Sequence, residues 1–156
     1  MDWPSIVTAL VAVYGAIAST YSLLIRHMEK ATRIRVDIKL GFVSFPSGHT
    51  SEPMLFLSAA NSGGKRVTLA SQGFLLPQKR GRLISANPFR SVDFPHELAP
   101  GKSCEIWLAA RGIAEQLRAN GFSGSVKLVG FYRDQVGNEY TSKPYKFETD
   151  RWLEVK

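Results

Sequence analysis

The chain has 156 residues, enough for one domain with an attached segment. Its 44% hydrophobic content is that of a folded protein and excludes wholesale disorder, and its single cysteine, Cys104, excludes an internal disulfide framework or a multi-cysteine metal site. A net charge of +7 raises anionic lipid and nucleic acid as partners, a question decided by where the charges sit.

From Trp3 to Ile25 no residue is charged. As a helix this run is long enough to cross a hydrocarbon core of about 30 Å, which takes roughly 20 residues. Trp3 suits the headgroup layer at one end, and Pro4 falls in the first turn, where its missing N–H had no intrahelical partner. A secretory signal cleaved after Ala18 is the competing reading, because Ala16-Ile17-Ala18 imitates a cleavage site. Against it, the start "MDWPS" has no Lys or Arg, and the apolar run continues through Leu23, Leu24 and Ile25. A buried core helix would need a polar face, and none is visible. Residues 1–30 are therefore expected to form a transmembrane anchor with a basic juxtamembrane segment, followed by one domain over 31–156.

The flanks set the orientation. Only Asp2 precedes the run, whereas Arg26, Lys30, Arg33, Arg35 and Lys39 follow it. Basic residues stay on the cytoplasmic side, so the expected address is the inner membrane, single-pass, with the N-terminus outside and the domain cytoplasmic. Arg26, Lys30, Arg33 and Arg35 would lie against an anionic surface, each contributing about 1 kcal/mol. Ser5, Ala9, Ala12, Ala16 and Ser19 recur at alternating steps of four and three. On a helix that is one stripe of small residues, the kind that lets helices approach closely in lipid, and it points to self-association or a partner helix.

"RIRVDIKLGFV" (33–43) alternates, with Ile34, Val36, Ile38 and Leu40 on one face and Arg33, Arg35, Asp37 and Lys39 on the other, as in a half-buried strand. "MLFLSAA" (54–60) is a second strand, closed by the turn residues Asn61-Ser62-Gly63-Gly64. "RVTLASQGFLL" (66–76) is a third, with a bulge at Gly73. After the basic loop "PQKRGR" the pattern is less regular to Phe94. "SCEIWLAA" (103–110) turns Cys104, Ile106 and Leu108 inward. One short helix over about 112–120 pairs Ile113 with Leu117, and Gly121 suits the position after its end. "SVKLVGFYRD" and "EYTSKPYKFE" flank "QVGN", a hairpin signal. Short strands with regular turns imply an antiparallel β-sandwich rather than a parallel α/β sheet.

"HELAPGKSCEIWL" resembles the Leu-x-Pro-Gly turn leading into a strand in bacterial immunoglobulin-like domains. With "LSAANSGGKRVTL" and "FYRDQVGNEYTSKPYKF", it resembles small single-pass bacterial membrane proteins that carry such a domain. The likeness spans most of residues 33–150 and implies an immunoglobulin-like β-sandwich with one short inserted helix. Its motifs are strand and turn signatures, so it implies no activity.

Pro46-Ser47-Gly48-His49 matches the central motif of the type 2 phosphatidic acid phosphatases. That family's pattern also requires Lys-x6-Arg-Pro and Ser-Arg-x5-His-x3-Asp. Arg90 and His96 have the spacing of the last element, but Phe89 stands for its serine and Pro100 for its aspartate, and no Arg-Pro dipeptide occurs. A phosphohistidine mechanism needs cations around the phosphate and an acid orienting the nucleophile, so the stretch reads as a loop between strands. A lipid-phosphate hydrolase using His49 and His96 is the alternative from another class. His27, His49, His96 and Cys104 show no short-spaced ligand pair, and "GFSGS" follows a helix instead of opening one; no metal, cofactor or catalytic site is expected. Lys79, Arg80 and Arg82 read as a solvated basic loop. Phe131, Tyr132 and Arg133 hint at base stacking, but strand alternation buries a ring there, so nucleic acid is not the expected partner. The expected function is a membrane-anchored, non-catalytic binding or assembly module.

Overall fold

The computed structural model describes residues 2–29, 31–77, 81–83 and 89–153. It begins with a long helix, α1 (Trp3–Glu29), and continues as a mainly β domain. The first three strands are β1 (Ile34–Gly41), β2 (Met54–Asn61) and β3 (Val67–Leu75). Three short strands follow, β4 (Arg82–Leu83), β5 (Phe89–Arg90) and β6 (His96–Leu98), then β7 (Ser103–Ala109). Helix α2 (Ala110–Ala119) leads to β8 (Ser125–Asp134), β9 (Glu139–Thr141), β10 (Tyr145–Glu148) and a terminal turn of helix, α3 (Thr149–Leu153).

Every strand pairing is antiparallel, as expected where short turns join neighbours. One sheet has the order β1-β2-β7-β5; the other has β10-β8-β3-β4, with β6 also on β3 and β9 on β8. Their inner faces share one core. Val36, Ile38, Leu55, Leu57, Cys104 and Ile106 come from the first sheet, and Leu69, Phe74, Val126, Leu128 and Tyr132 from the second. Two contacts fix the spacing between them. The Tyr132 hydroxyl donates to the Leu57 carbonyl at 2.6 Å, and at Gly130 a Cβ would collide with Leu57 and Ile38 of the opposite sheet. Gly130 is therefore a close-approach residue, with no room for a side chain.

The alternation of the first strand buries Val36 and Ile38 and half-buries Ile34, but Leu40, at the end of an edge strand, stays 37% exposed. In β3 the irregularity falls between Leu69 and Ser71 and not at Gly73, which stays in register opposite Phe131. The helix starts two residues earlier than expected, because Ala110 is buried and its N–H, an orphan of the first turn, donates to the Pro53 carbonyl at 2.9 Å. Its buried face is Ala110, Ile113, Ala114 and Leu117, a helical period. It ends in a Schellman closure: Gly121, at φ +82, donates to Arg118, and Phe122 donates to Leu117.

Candidate membrane anchor and its junction with the domain

Helix α1 contains a 21-residue stretch, Ile6–Arg26, apolar and long enough to cross a membrane, and none of it is buried against the rest of the chain. Leu10 and Val11 are each 66% exposed, and Trp3, Tyr14, Ile17, Leu23 and Leu24 are exposed as well. At 1.5 Å per residue its 27 residues extend about 40 Å, more than the hydrocarbon thickness. Three of its hydroxyls bond back to the helix: Thr8 donates to the Pro4 carbonyl, Thr20 to Ala16 and Ser22 to Ala18, each at 2.9 Å. Such back-bonding to the preceding turn leaves those polar atoms partnered without water.

Ala9, Ala12, Ala16 and Ser19 of the small-residue stripe are exposed along one side of this helix; Ser5 belongs to the same stripe, but its side chain lies outside the described part. At 3.6 residues per turn the five positions fall within an arc of about 80°. A shallow groove of about 390 Å³ runs beside the stripe, lined by Ala16, Ile17, Thr20, Tyr21 and Leu24. Of the basic residues that follow, Arg26, Arg33 and Arg35 are exposed, and Lys30 lies outside the described residues.

The chain between helix and domain is held by the turn after β2. Gly64 donates its N–H to the Ala31 carbonyl at 3.2 Å, and Ser62 donates its N–H to the Arg33 carbonyl at 2.8 Å. A Cβ on Gly63 would strike the Ala31 carbonyl oxygen and the Arg33 nitrogen, so only glycine lets these backbones meet. Asn61 ties the same turn inward: its side-chain amide donates to the Lys65 and Leu98 carbonyls, and its carboxamide oxygen accepts from Gly63. The sequence marks Asn61-Ser62-Gly63-Gly64 as a turn. Its role in holding residues 31–33 depends on a partner 30 positions away, which no local pattern reveals.

The remaining sequence motifs are separated by the fold. Pro46-Ser47-Gly48-His49 makes a tight reversal between β1 and β2: Ser44 bridges Thr50, Phe45 N–H donates to the His49 carbonyl, and Gly48 sits at φ +81. His49 is exposed on the arm of the four-stranded sheet, whereas His96 pairs with Leu69 on the other sheet. No cluster of three His, Cys, Asp or Glu side chains suited to a metal occurs among the described residues. Both Phe131 and Tyr132 are buried, so neither ring is available for stacking. Lys79 and Arg80 lie outside the described residues; Arg82 pairs with Glu139 at 2.8 Å and sits 5.0 Å over the Phe131 ring.

The core and its edge perturb titratable groups, Cys104, Tyr132 and Asp134 among them. Burial pushes the Cys104 thiol up to about 11, despite the neighbouring Tyr132 hydroxyl, which leaves it protonated and unreactive at neutral pH. Burial likewise raises Tyr132, reinforced by Cys104 and Glu105. For Asp134, burial acts upward but is outweighed by hydrogen bonds from Asn138 and Tyr140, so its carboxyl lies below the ordinary aspartate range. Those donors are the Asn138 N–H at 2.8 Å and the Asn138 amide and Tyr140 hydroxyl, each at 2.9 Å.

No protein-family model matches the chain, and no curated protein is significantly similar to it in sequence.

Proposed function

We propose that this protein is a single-pass inner-membrane protein whose cytoplasmic, immunoglobulin-like domain works as a non-catalytic binding or assembly module for a protein partner. The observation that carries the proposal is the contrast in burial: α1 leaves its apolar side chains uncovered, while the β domain buries its own. A 27-residue helix of that kind needs an apolar phase, which the bilayer supplies. Arg26, Lys30, Arg33 and Arg35, placed after the helix with only Asp2 before it, favour the orientation with the domain inside.

The strand orders support the immunoglobulin-like reading. In chain order, β1-β2-β7-β5 corresponds to the A-B-E-D sheet of such domains, and β10-β8-β3 to the G-F-C sheet. The likeness to small bacterial proteins of this build agrees with it. Absence of catalysis is favoured by the separation of His49 and His96 onto different sheets and by the raised thiol of Cys104. A partner surface is offered by the arm around residues 42–51, where two aromatics three positions apart, Phe42 at 60% and Phe45 at 50%, are exposed; aromatic side chains are enriched in interfaces. The stripe Ser5, Ala9, Ala12, Ala16 and Ser19 supports association within the membrane.

Fractionation tests the anchor: the full chain is expected in membranes, resistant to salt and alkali. A reporter fused after Lys156 is expected to behave as cytoplasmic, and periplasmic activity of that fusion overturns the orientation. In-cell crosslinking from position 42 or 45 is expected to capture a protein. Release of phosphate from a lipid substrate, lost in His49→Ala, would replace the module by a hydrolase.

A further inference from the structure

We infer that the end of the β domain nearest the helix is a second membrane contact, a cationic surface that rests on anionic lipid headgroups. The inference rests on the anchor reading above and adds residues that no local pattern connects to the membrane.

The topology brings them together. β1 leaves the junction at Ile34, and Ile34 pairs with Asn61 at the end of β2. Antiparallel pairing then returns three other turns to the same end: residues 61–66 between β2 and β3, residues 99–102 before β7, and residues 135–138 after β8. Backbone bonds join the first two, with Asn61 N–H on the Lys102 carbonyl and Gly101 N–H on the Asn61 carbonyl. The third joins through Gln135 N–H on the Thr68 carbonyl at 3.0 Å.

These turns carry exposed Lys65, Arg66 and Lys102, and the end of β8 adds Arg133, at the end of the domain where Arg33 of the junction lies. Of the acids at this end, Glu97 is paired with Arg66 at 2.9 Å and Glu139 with Arg82 at 2.8 Å, while Asp134 keeps its charge on the neutral donors Asn138 and Tyr140, so that Arg33, Lys65, Lys102 and Arg133 leave the end net cationic. At the tip of the last turn Val136 is 85% exposed, beside a groove that it lines with Arg66 and Asp134. At the same end, a groove of about 600 Å³ between β1 and β9 is lined by Arg35, Lys143, Asp37, Ser62 and Thr141. An end with cations and an apolar tip matches a headgroup layer above hydrocarbon.

Reach supports the same placement. Five residue steps from Glu29 to Ile34 extend at most about 17 Å, and residues 31–33 are already bonded to the β2–β3 turn. The tether therefore lets the turns reach the bilayer surface, where anionic lipid attracts each cation by about 1 kcal/mol within a Debye length of about 8 Å. The opposite end also carries exposed cations, Arg118 and Lys127 among them, beside Phe42, Phe45 and His49, but the length of the strands holds it away from the junction.

The full chain is reconstituted into discs of phosphatidylcholine alone and discs containing phosphatidylglycerol, and amine acylation is followed residue by residue. Lys65 and Lys102 are expected to react about fivefold more slowly in the anionic discs, the equivalent of about 1 kcal/mol, and to recover in high salt. Exposed Lys127, at the far end of β8, is the internal control and is expected to keep its rate. Lys102→Gln with Arg133→Gln is expected to release Lys65. Equal rates at Lys65 and Lys102 in the two compositions, with the chain still floating with the discs, overturn this inference alone. Equal slowing at Lys127 overturns it too, as a general effect of disc charge. A chain that fails to float with either disc overturns the anchor reading and this contact with it.

Discussion

Helix α1 and strand β2 are built from the same kinds of residue and solve burial in opposite ways. In β2, Leu55 and Leu57 are fully buried between two sheets; in α1, Leu10 and Val11 are 66% exposed. The strand alternates, so half of each β surface can be covered by the facing sheet of the same chain. The helix has no polar side to leave in water and, among the described residues, no second element covers it. What a residue contributes is therefore set by the phase around it: the core of the domain is a matter of stability, and the apolar surface of the helix one of location.

The sharpest break in that comparison is a charge in the domain core. Ile106 is 1% exposed, and Ile106→Asp places an unpaired carboxylate there, a loss of several kcal/mol. Circular dichroism and protease sensitivity are expected to report an unfolded domain, while the chain still floats with membranes; a protease-resistant domain would refute the shared core. The converse change is Val13→Arg in α1, which raises the insertion free energy by about 2.5–3.5 kcal/mol. Loss of membrane partition with an unchanged domain melting temperature is the expected result, and full partition would contradict a spanning helix.

Gly130→Ala probes the close approach of the sheets. Its methyl group meets Leu57 and Ile38, an overpacking that costs about 1–3 kcal/mol. Denaturant unfolding is expected to show the loss, and a neutral result would mean that the Leu57 side chain yields to the methyl group without disturbing the core.

Asp134 refines the comparison at the domain edge. Its folded carboxyl lies below the unfolded value, so the stabilisation is present above that value and is lost as pH falls through the folded one, below about pH 4. Acid unfolding of wild type is expected to be steeper there than that of Asp134→Asn. Superimposable acid limbs would show that the turn network is not coupled to folding. The smallest expected effect is Ala12→Leu with Ala16→Leu, which fills the helix stripe without charge. Domain stability and insertion are expected to hold while intramembrane crosslinking weakens, and unchanged crosslinking would reduce the helix to a tether.

Much of this was legible in the sequence because the signals are local. The uncharged run from Trp3 to Ile25, the alternation through Val36 and Ile38, and the "QVGN" hairpin each depend on neighbours a few residues apart. The short helix was legible through Ile113, Leu117 and Gly121, but its start was not, because the Pro53 carbonyl that receives Ala110 is remote in the chain. Strands β4, β5 and β6 are two or three residues long, too short to show a period, and so hid in a region that reads as irregular.

Sequence alone determined that one segment is apolar and long enough to cross a membrane and that the remainder consists largely of short, half-buried strands, since hydropathy and periodicity are properties of consecutive residues. Only the tertiary structure decided which strands share a sheet and that Gly130 and Tyr132 set the gap between sheets. It alone drew Lys65, Lys102 and Arg133 to the end where the helix enters, and it separated His49 from His96. Pairing in an antiparallel sheet joins residues tens of positions apart, and the free energy that selects one pairing is the burial of a common core, which no single stretch of the chain contains.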